Sequence, residues 1–178
     1  MKWITIALIV VLALAAVAVL AAFVGSRLPR AHVASRQRTF PVPPDAVWAA
    51  ITNVDAFPSW RSDVKKVERL PDRDGRPVWI EDGSSGRLTL AAERMEPPRL
   101  LVLRIADPDL PFGGTWTYEI APDTAGSRLT ITEHGEIYNP LFRFMARFVF
   151  GYEGTIASYM TALDKRLGAF AGGSGHES

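Results

Sequence analysis

The chain of 178 residues contains 20 basic and 19 acidic residues and no cysteine. This length suits one domain, and the lack of cysteine excludes a disulfide framework, a thiolate nucleophile and a cysteine-ligated zinc site. Five basic residues precede the first acidic residue, Asp45, so the rest of the chain carries 15 basic and 19 acidic residues. This acidic excess argues against a nucleic-acid partner, because phosphate contacts require a cationic face.

The sequence begins with a long apolar segment. Between residues 4 and 24 every residue except Thr5 is apolar. As a helix this segment would rise about 31 Å, close to the thickness of the hydrocarbon core of a bilayer. We interpret residues 1–26 as an uncleaved transmembrane anchor. Two alternatives remain open: a cleaved signal peptide, whose apolar core is usually shorter, and a buried core helix, which the absence of a polar face disfavours.

The charges that flank this segment indicate its orientation. Lys2 precedes it, whereas four arginines follow it within about 15 residues: Arg27, Arg30, Arg36 and Arg38. The positive-inside rule then predicts a single-pass protein of the cell inner membrane whose C-terminal side lies in the cytoplasm.

The sequence beyond the anchor divides into three parts. Residues 27–32 are predicted to form a linker, residues 33–170 a folded domain and residues 171–178 a disordered tail. The domain starts with an extended segment, residues 33–42, which ends in a proline-rich stretch. A helix is predicted to begin near Pro44, because proline is tolerated in the first turn of a helix, and a second short turn of helix follows it up to Trp60.

Short strand-like segments follow between residues 63 and 136. Asp74 and Gly75 form a hairpin signal between two of them. In the clearest segments apolar and polar side chains alternate, as where Trp116 and Tyr118 face away from Thr117. This alternation predicts an antiparallel sheet of about six strands with only one face in water.

The last predicted element is a long helix. Asn139 and Pro140 suit its N-cap and first position, and a helical pattern continues to about Gly168. Gly151 and Gly154 suggest a kink or a close contact. Its apolar stripe is Leu141, Met145, Phe148, Tyr152, Ile156, Tyr159, Leu163 and Leu167. A curved sheet that wraps around this helix buries both apolar faces and tends to leave a cavity between them.

Three segments resemble the SRPBCC superfamily, which includes START domains, birch-pollen-allergen-like proteins and polyketide cyclase/dehydrase-type proteins. They are PPDAVWAAITNVDAFPSW, RIADPDLPFGGTWTYEI and LTITEHGEIYNPLFRFMARFVFGYEGTIASYM. The last two are similar to a bacterial membrane-anchored branch. The resemblance covers about residues 33–168. It implies an α+β helix-grip fold with a deep apolar cavity that binds lipids, polyketides, sterols or similar molecules.

The apolar side chains that we expect to line this cavity are mostly aromatic. Packing of the same side chains into a closed core remains the alternative for each of them, since a domain of this size can build its core from them. The candidates are Trp60, Trp79, Phe112, Trp116, Tyr118, Phe148, Tyr152, Ile156 and Tyr159.

Two charged residues are candidate polar groups of the ligand site. Glu133 shares strand parity with Leu129 and Ile131, so it points inward if the strand is unbroken, and burial would raise the pKa of its carboxyl group. It is a weak catalytic candidate, and a frayed strand end in water is the alternative. Arg104 could clamp a carboxylate or phosphate, or pair with Glu133, unless it points to solvent.

The sequence favours a binding module over other functions. A membrane-tethered domain could hold an apolar ligand taken from the bilayer. A cyclase- or hydrolase-like enzyme that uses acidic and tyrosine side chains is the second hypothesis, and an assembly protein with a vestigial pocket is the third. No cofactor or metal ion is expected, since three scattered histidines without cysteine give little support for a metal site. The sequence leaves the oligomeric state open.

Overall fold

The computed structural model describes residues 2–173 of the chain. A 3₁₀ turn (Val54–Ala56) precedes α3, and a π-helical turn (Ala146–Phe150) follows α4. The elements are α1 (Lys2–Ser26), β1 (Ala31–Phe40), α2 (Pro44–Thr52), α3 (Phe57–Trp60), β2 (Val64–Arg73), β3 (Arg76–Gly83), β4 (Gly86–Glu96), β5 (Leu100–Ile105), β6 (Phe112–Asp123), β7 (Gly126–Ile137), α4 (Pro140–Met145) and α5 (Gly154–Gly173).

The seven strands form one antiparallel sheet in the order β1-β7-β6-β5-β4-β3-β2. β1 and β2 are consecutive in sequence but lie at opposite edges, because the segment that carries α2 and α3 crosses the sheet between them. The strand order, together with α5 packed on the same side as α2 and α3, confirms the predicted helix-grip fold.

Local sequence signals position several of these elements as expected. Asp74 and Gly75 both adopt positive φ, at 52° and 72°, in the turn between β2 and β3, the conformation that an Asp-Gly hairpin turn requires. The Asn139 side chain accepts hydrogen bonds from the backbone N–H groups of Leu141 and Phe142, at 2.9 and 3.2 Å, and so caps α4.

The inner face of the sheet packs against α2, α3 and α5. Two ion pairs hold α5 and the residue before it along the edge strand β1. Arg36 Nη2 lies 2.9 Å from Glu153, which directly precedes α5, and Arg38 Nη2 lies 2.6 Å from Asp164 of α5. The side chains that are most fully buried between the layers are Phe40, Val47, Ile51, Phe57, Ser127, Leu129, Ile131, Ile156, Leu163 and Leu167.

The long helix predicted from residue 140 is interrupted at Gly151, one of the two glycines that suggested a kink. Gly151 has a φ of 73°, a left-handed conformation that glycine adopts without strain, and it separates the π-helical turn from α5. The helix that packs on the sheet therefore has 20 residues. The break removes the residues before Gly151 from the apolar stripe of α5.

Two expected boundaries also differ. β1 begins at Ala31, inside the expected linker 27–32, because Ala31 and His32 pair with Glu136 and Gly135 of β7. α5 continues to Gly173, three residues into the expected tail, and the remaining residues 174–178 lie outside the described part of the chain.

α1 is long and apolar enough to cross a membrane, and almost all of it is exposed. Its last turn packs against α4. A Cβ at Gly25 would lie 1.8 Å from the carbonyl oxygen of Pro140, so only glycine permits this approach. The buried Arg143 donates a hydrogen bond of 2.9 Å to the carbonyl oxygen of Leu28 and holds α4 against the segment that follows α1.

Candidate functional site

Glu133 projects from β7 onto the inner face of the sheet. Its neighbours across the strands are Ala34 of β1 and Trp116 of β6, and Trp116 in turn pairs with Leu103 of β5. Ala34 and Leu103 are both buried. The carboxyl group of Glu133, with its side chain 20% exposed, therefore lies in mainly apolar surroundings.

Two further side chains, His32 of β1 and Tyr152, form a polar cluster with Glu133. His32 Nε2 lies 3.6 Å from Glu133 Oε1, and the imidazole ring stacks on Tyr152 with 4.1 Å between ring centroids. The Nδ1 atom of His32 is buried and has no hydrogen-bond partner in the described structure. This cluster lies where β1 begins and β7 ends, which is the end of the domain next to α1; we call it the α1 end.

Burial moves both titratable groups of this cluster towards their neutral forms. It raises the pKa of the Glu133 carboxyl group to about 7, although a hydrogen bond from Trp116 acts in the opposite direction. It also lowers the pKa of the His32 imidazole. Near neutral pH the carboxyl group is therefore poised to gain or lose a proton beside an imidazole that favours its uncharged state.

Gly135 makes the approach of His32 to Glu133 possible. A Cβ at this position would lie 2.3 Å from His32 Cε1 and 3.0 Å from Glu133 Oε1. We expect Gly135→Ala to displace the imidazole from Tyr152 and to lower the free energy of unfolding by about 1–3 kcal/mol through overpacking. The NMR signal of His32 Cε1 and chemical denaturation measure the two effects.

Gly154→Ala is the matched control for that substitution, because a Cβ there meets no atom within 4 Å. It should leave both the His32 signal and the stability close to those of the wild type. An unchanged His32 signal in Gly135→Ala would contradict the close contact between the two strands.

A second group of polar side chains is buried deeper on the inner face. Arg61 Nη1 donates a hydrogen bond of 3.0 Å to Glu81, whose carboxylate also accepts one of 3.1 Å from the indole N–H of Trp79. Arg61 also pairs with Asp63 at 2.6 Å. Burial alone would lower the pKa of the guanidinium, but the hydrogen bond to Asp63 and the charge of Glu81 raise it, so Arg61 stays charged.

Tyr159 of α5 connects this ion pair to the aromatic side chains. The Arg61 guanidinium lies over its ring, 5.2 Å from the centroid. Trp60, Trp116 and Tyr118 contact the same ring, with centroids 5.7 to 6.0 Å away. These contacts fill the space directly beneath this part of α5, where the sequence favoured an open cavity. Burial raises the pKa of both Tyr118 and Tyr159, so both hydroxyls are protonated at neutral pH.

Most of the candidate ligand-binding residues lie on the inner side of the sheet. Trp79, Tyr118, Ile156 and Tyr159 are buried in the core, and Trp60, Trp116 and Tyr152 are half-buried against it. Phe112 is half-buried at the start of β6, at the α1 end.

Arg104 and Phe148 lie elsewhere. Arg104 pairs across the strands with Thr115, which pairs with His134, so it occupies the outer face and forms an ion pair with Glu93. The hypothesis of an Arg104–Glu133 pair is therefore wrong, because the two side chains lie on opposite faces of the sheet, and the alternative for Arg104, a side chain that points to solvent, agrees with its position. Phe148 is 59% exposed on the π-helical turn, since the break at Gly151 takes it away from the inner face.

Two clefts border Arg104 on the outer face. One, of about 370 Å³, is lined by Arg73, Arg76, Ala92 and Glu93 among others. The other, of about 270 Å³, lies between Asp107, Gly114 and Tyr138. Both mix charges of opposite sign, and neither includes Glu133 or α5.

Sequence reasoning missed His32 and the Arg61–Glu81 pair. His32 was assigned to the linker, although it shares strand parity with Ala34, which is buried. Glu81 shares parity with Trp79 in β3, and this would have placed a carboxylate on the inner face beside an indole. No sequence signal identifies Arg61 as its partner, because the two residues come together through the packing of α3 on β2, the strand that pairs with β3.

Comparisons with known proteins agree with this architecture. The model of the family described as polyketide cyclase/dehydrase and lipid transport matches residues 31–168. No curated protein matches the chain.

Three solved structures show the same fold. The di-domain ARO/CYC StfQ from the steffimycin biosynthetic pathway has a TM-score of 0.64 at 14% identity over 80% of this chain, which spans only 52% of StfQ. A START superfamily protein from Mycobacterium smegmatis has a TM-score of 0.63 at 16% identity, over 78% of this chain and 99% of its own. The Zhui aromatase/cyclase from Streptomyces sp. R1128 has a TM-score of 0.62 at 15% identity, over 77% of this chain and 93% of its own.

At these identities the structural matches establish the fold alone, whereas the family model covers nearly the whole region from β1 to α5. The chain belongs to the polyketide cyclase/dehydrase and lipid transport family, within the SRPBCC superfamily.

Proposed function

We propose that this protein is a membrane-anchored binding domain for an apolar small molecule, such as a lipid, a polyketide or an isoprenoid-like compound. The observation that carries the proposal is the cluster at the α1 end, where a protonatable carboxyl group adjoins an aromatic inner face. Small-molecule sites typically combine mainly apolar walls with a few polar groups that orient the ligand. The name of the family, which includes lipid transport, supports this class of ligand.

The proposed site extends from Glu133 and Tyr152 along the half-buried rings of Phe112 and Trp116. Because Tyr159 and its neighbours occupy the space deeper under α5, an apolar ligand enters from the α1 end and displaces half-buried rings. The remaining aromatic and aliphatic candidates would form the inner wall of the site: Trp60, Trp79, Tyr118, Ile156 and Tyr159.

We also propose that α1 anchors the protein in the membrane. α1 is exposed over nearly its whole length and carries no acidic residue. The positive charges after it favour a domain on the cytoplasmic side of the bacterial inner membrane. A tether suits an apolar ligand, since the membrane is the reservoir of such a molecule.

Ligand retention should depend on pH through Glu133. When the carboxyl group is protonated, an apolar molecule can lie beside it; when the group ionises, hydration of the charge competes with the ligand. We therefore expect the detergent-purified full chain to retain an apolar species at pH 5.5 and to release most of it at pH 8.5. Native mass spectrometry followed by organic extraction measures occupancy at both pH values.

Two variants identify the group responsible. Glu133→Gln stays neutral and should retain the ligand at both pH values. Glu136→Gln alters an exposed carboxylate on the same strand and should behave as the wild type. The absence of an apolar species in every preparation, at either pH, would overturn the binding proposal.

The alternative is a cyclase- or hydrolase-like enzyme that uses acidic and tyrosine side chains. The raised pKa of Glu133, beside the uncharged His32, is the observation that favours it, because a general acid or base works best when its pKa lies near the working pH. Once an extracted ligand is identified, loss of turnover in Glu133→Gln with unchanged retention would establish this reading over the first.

A further inference from the structure

Beyond α1, the exposed large apolar side chains of the described residues concentrate at one end of the domain. On a soluble protein, exposed apolar side chains that cluster in one place mark an interaction surface. They are Val33, Tyr138, Phe142, Phe148 and Val149. Val33 lies near the start of β1, Tyr138 directly follows β7, and the other three belong to α4 and its π-helical turn, so all five surround the α1 end.

The position of α4 along α1 determines what this surface meets. Ala21 and Gly25 of α1 are buried, and Gly25 approaches Pro140 of α4. These two positions lie about 6 Å apart along the helix axis. α1 as a whole rises about 37 Å, longer than the hydrocarbon core of about 30 Å, so its last turns reach the headgroup layer. A spanning α1 therefore brings α4 to the same depth.

Positive charges accompany these apolar side chains. Arg27 and Arg30, which follow α1, are exposed, as is Arg147 on the π-helical turn. The Arg27 guanidinium lies over the Phe23 ring of α1, 5.1 Å from its centroid. Apolar side chains beside exposed arginines are the composition that binds an interface between anionic headgroups and acyl chains.

We propose that the segment from Pro140 to Val149 lies in the headgroup layer of the bilayer that α1 crosses, with Phe142, Phe148 and Val149 inserted among the acyl chains. This inference rests on the proposed membrane span of α1. It places the cluster of His32, Glu133 and Tyr152 next to the membrane surface, so a ligand can pass between the bilayer and the site without crossing water.

Depth-dependent fluorescence quenching tests this placement in the full chain. Because the chain contains no cysteine, a single Phe148→Cys substitution carries one environment-sensitive fluorophore after reconstitution into vesicles of phosphatidylcholine and phosphatidylglycerol. A spin label near the headgroup end of the acyl chain should quench roughly half of its emission, since an interfacial helix inserts only about 5–10 Å. Phe142→Cys provides a second position if the first variant folds poorly.

Two further labelled variants separate this inference from the anchor itself. Leu12→Cys, in the middle of α1, should be quenched most by a spin label deep in the acyl chain. Ala125→Cys, in the exposed turn between β6 and β7 at the opposite end of the sheet, should not be quenched. Quenching of Leu12→Cys but not of Phe148→Cys or Phe142→Cys would overturn the inference and leave the anchor intact. Absence of quenching at all three positions would overturn both.

Discussion

Glu81→Leu is expected to lower the free energy of unfolding by about 3–5 kcal/mol, the usual cost of removing one partner from a buried ion pair. The Glu81 side chain is only 7% exposed and that of Arg61 12%. Without the carboxylate, Arg61 keeps Asp63 as its single anionic partner, and the indole N–H of Trp79 loses its acceptor. Chemical denaturation of the wild type and the variant in the same detergent, monitored by tryptophan fluorescence, measures the change in the free energy of unfolding.

Glu93→Leu is the matched control for this prediction. Glu93 pairs with Arg104 on the outer face of the same sheet, but their side chains are 40% and 50% exposed, so the loss should stay below about 1 kcal/mol. The double variant Arg61→Met with Glu81→Leu should be destabilised by clearly less than the sum of the two single variants, because neither charge is then left unpaired. Additive losses would contradict the coupling.

The sheet was predictable because its signals are local. Alternating side chains assigned Trp116 and Tyr118 to one face, and Asp74 with Gly75 marked a hairpin turn. The break in the terminal helix was predictable only in part. Gly151 and Gly154 indicated a kink, but the apolar spacing continues through Gly151, and only the backbone conformation of that residue shows that the chain leaves the helix between Phe148 and Tyr152.

The candidate site was predictable only in part, for a related reason. Strand parity places Glu133 on the inner face, and the same rule places Arg104 on the outer face once the register of β5 and β6 is known. His32 could not be assigned from its own sequence, because its role depends on a partner strand about 100 residues away. The packing that brings Arg61 to Glu81 is likewise a tertiary effect.

Glu133→Gln is expected to make the protein more stable at pH 8 by about 2–3 kcal/mol, and to leave it unchanged near pH 4.5. The pKa of this carboxyl group is raised from 4.5 to about 7 on folding. The contribution of the neutral Glu133 carboxyl group to stability is therefore fully present below pH 4.5 and is lost as the pH rises towards 7, because ionisation is harder in the folded state than in the unfolded state. A pKa shift changes the free energy of unfolding by about 1.4 kcal/mol per unit. Partial exposure of the carboxyl group and the nearby His32 reduce the full change to the expected value of about 2–3 kcal/mol.

The buried His32 changes the stability in the opposite pH direction, so its contribution can be distinguished from that of Glu133. Its lowered pKa means that protonation costs more in the folded state, so this group lowers stability as the pH falls below about 6.5. Glu133→Gln removes only the loss at high pH, and its stability should therefore fall only on the acidic side. Glu136→Gln should match the wild type at both pH values. Equal stabilities of Glu133→Gln and the wild type at pH 8 would show that the Glu133 carboxylate is well solvated, and the pH-dependent release of an apolar ligand would then lose its physical basis.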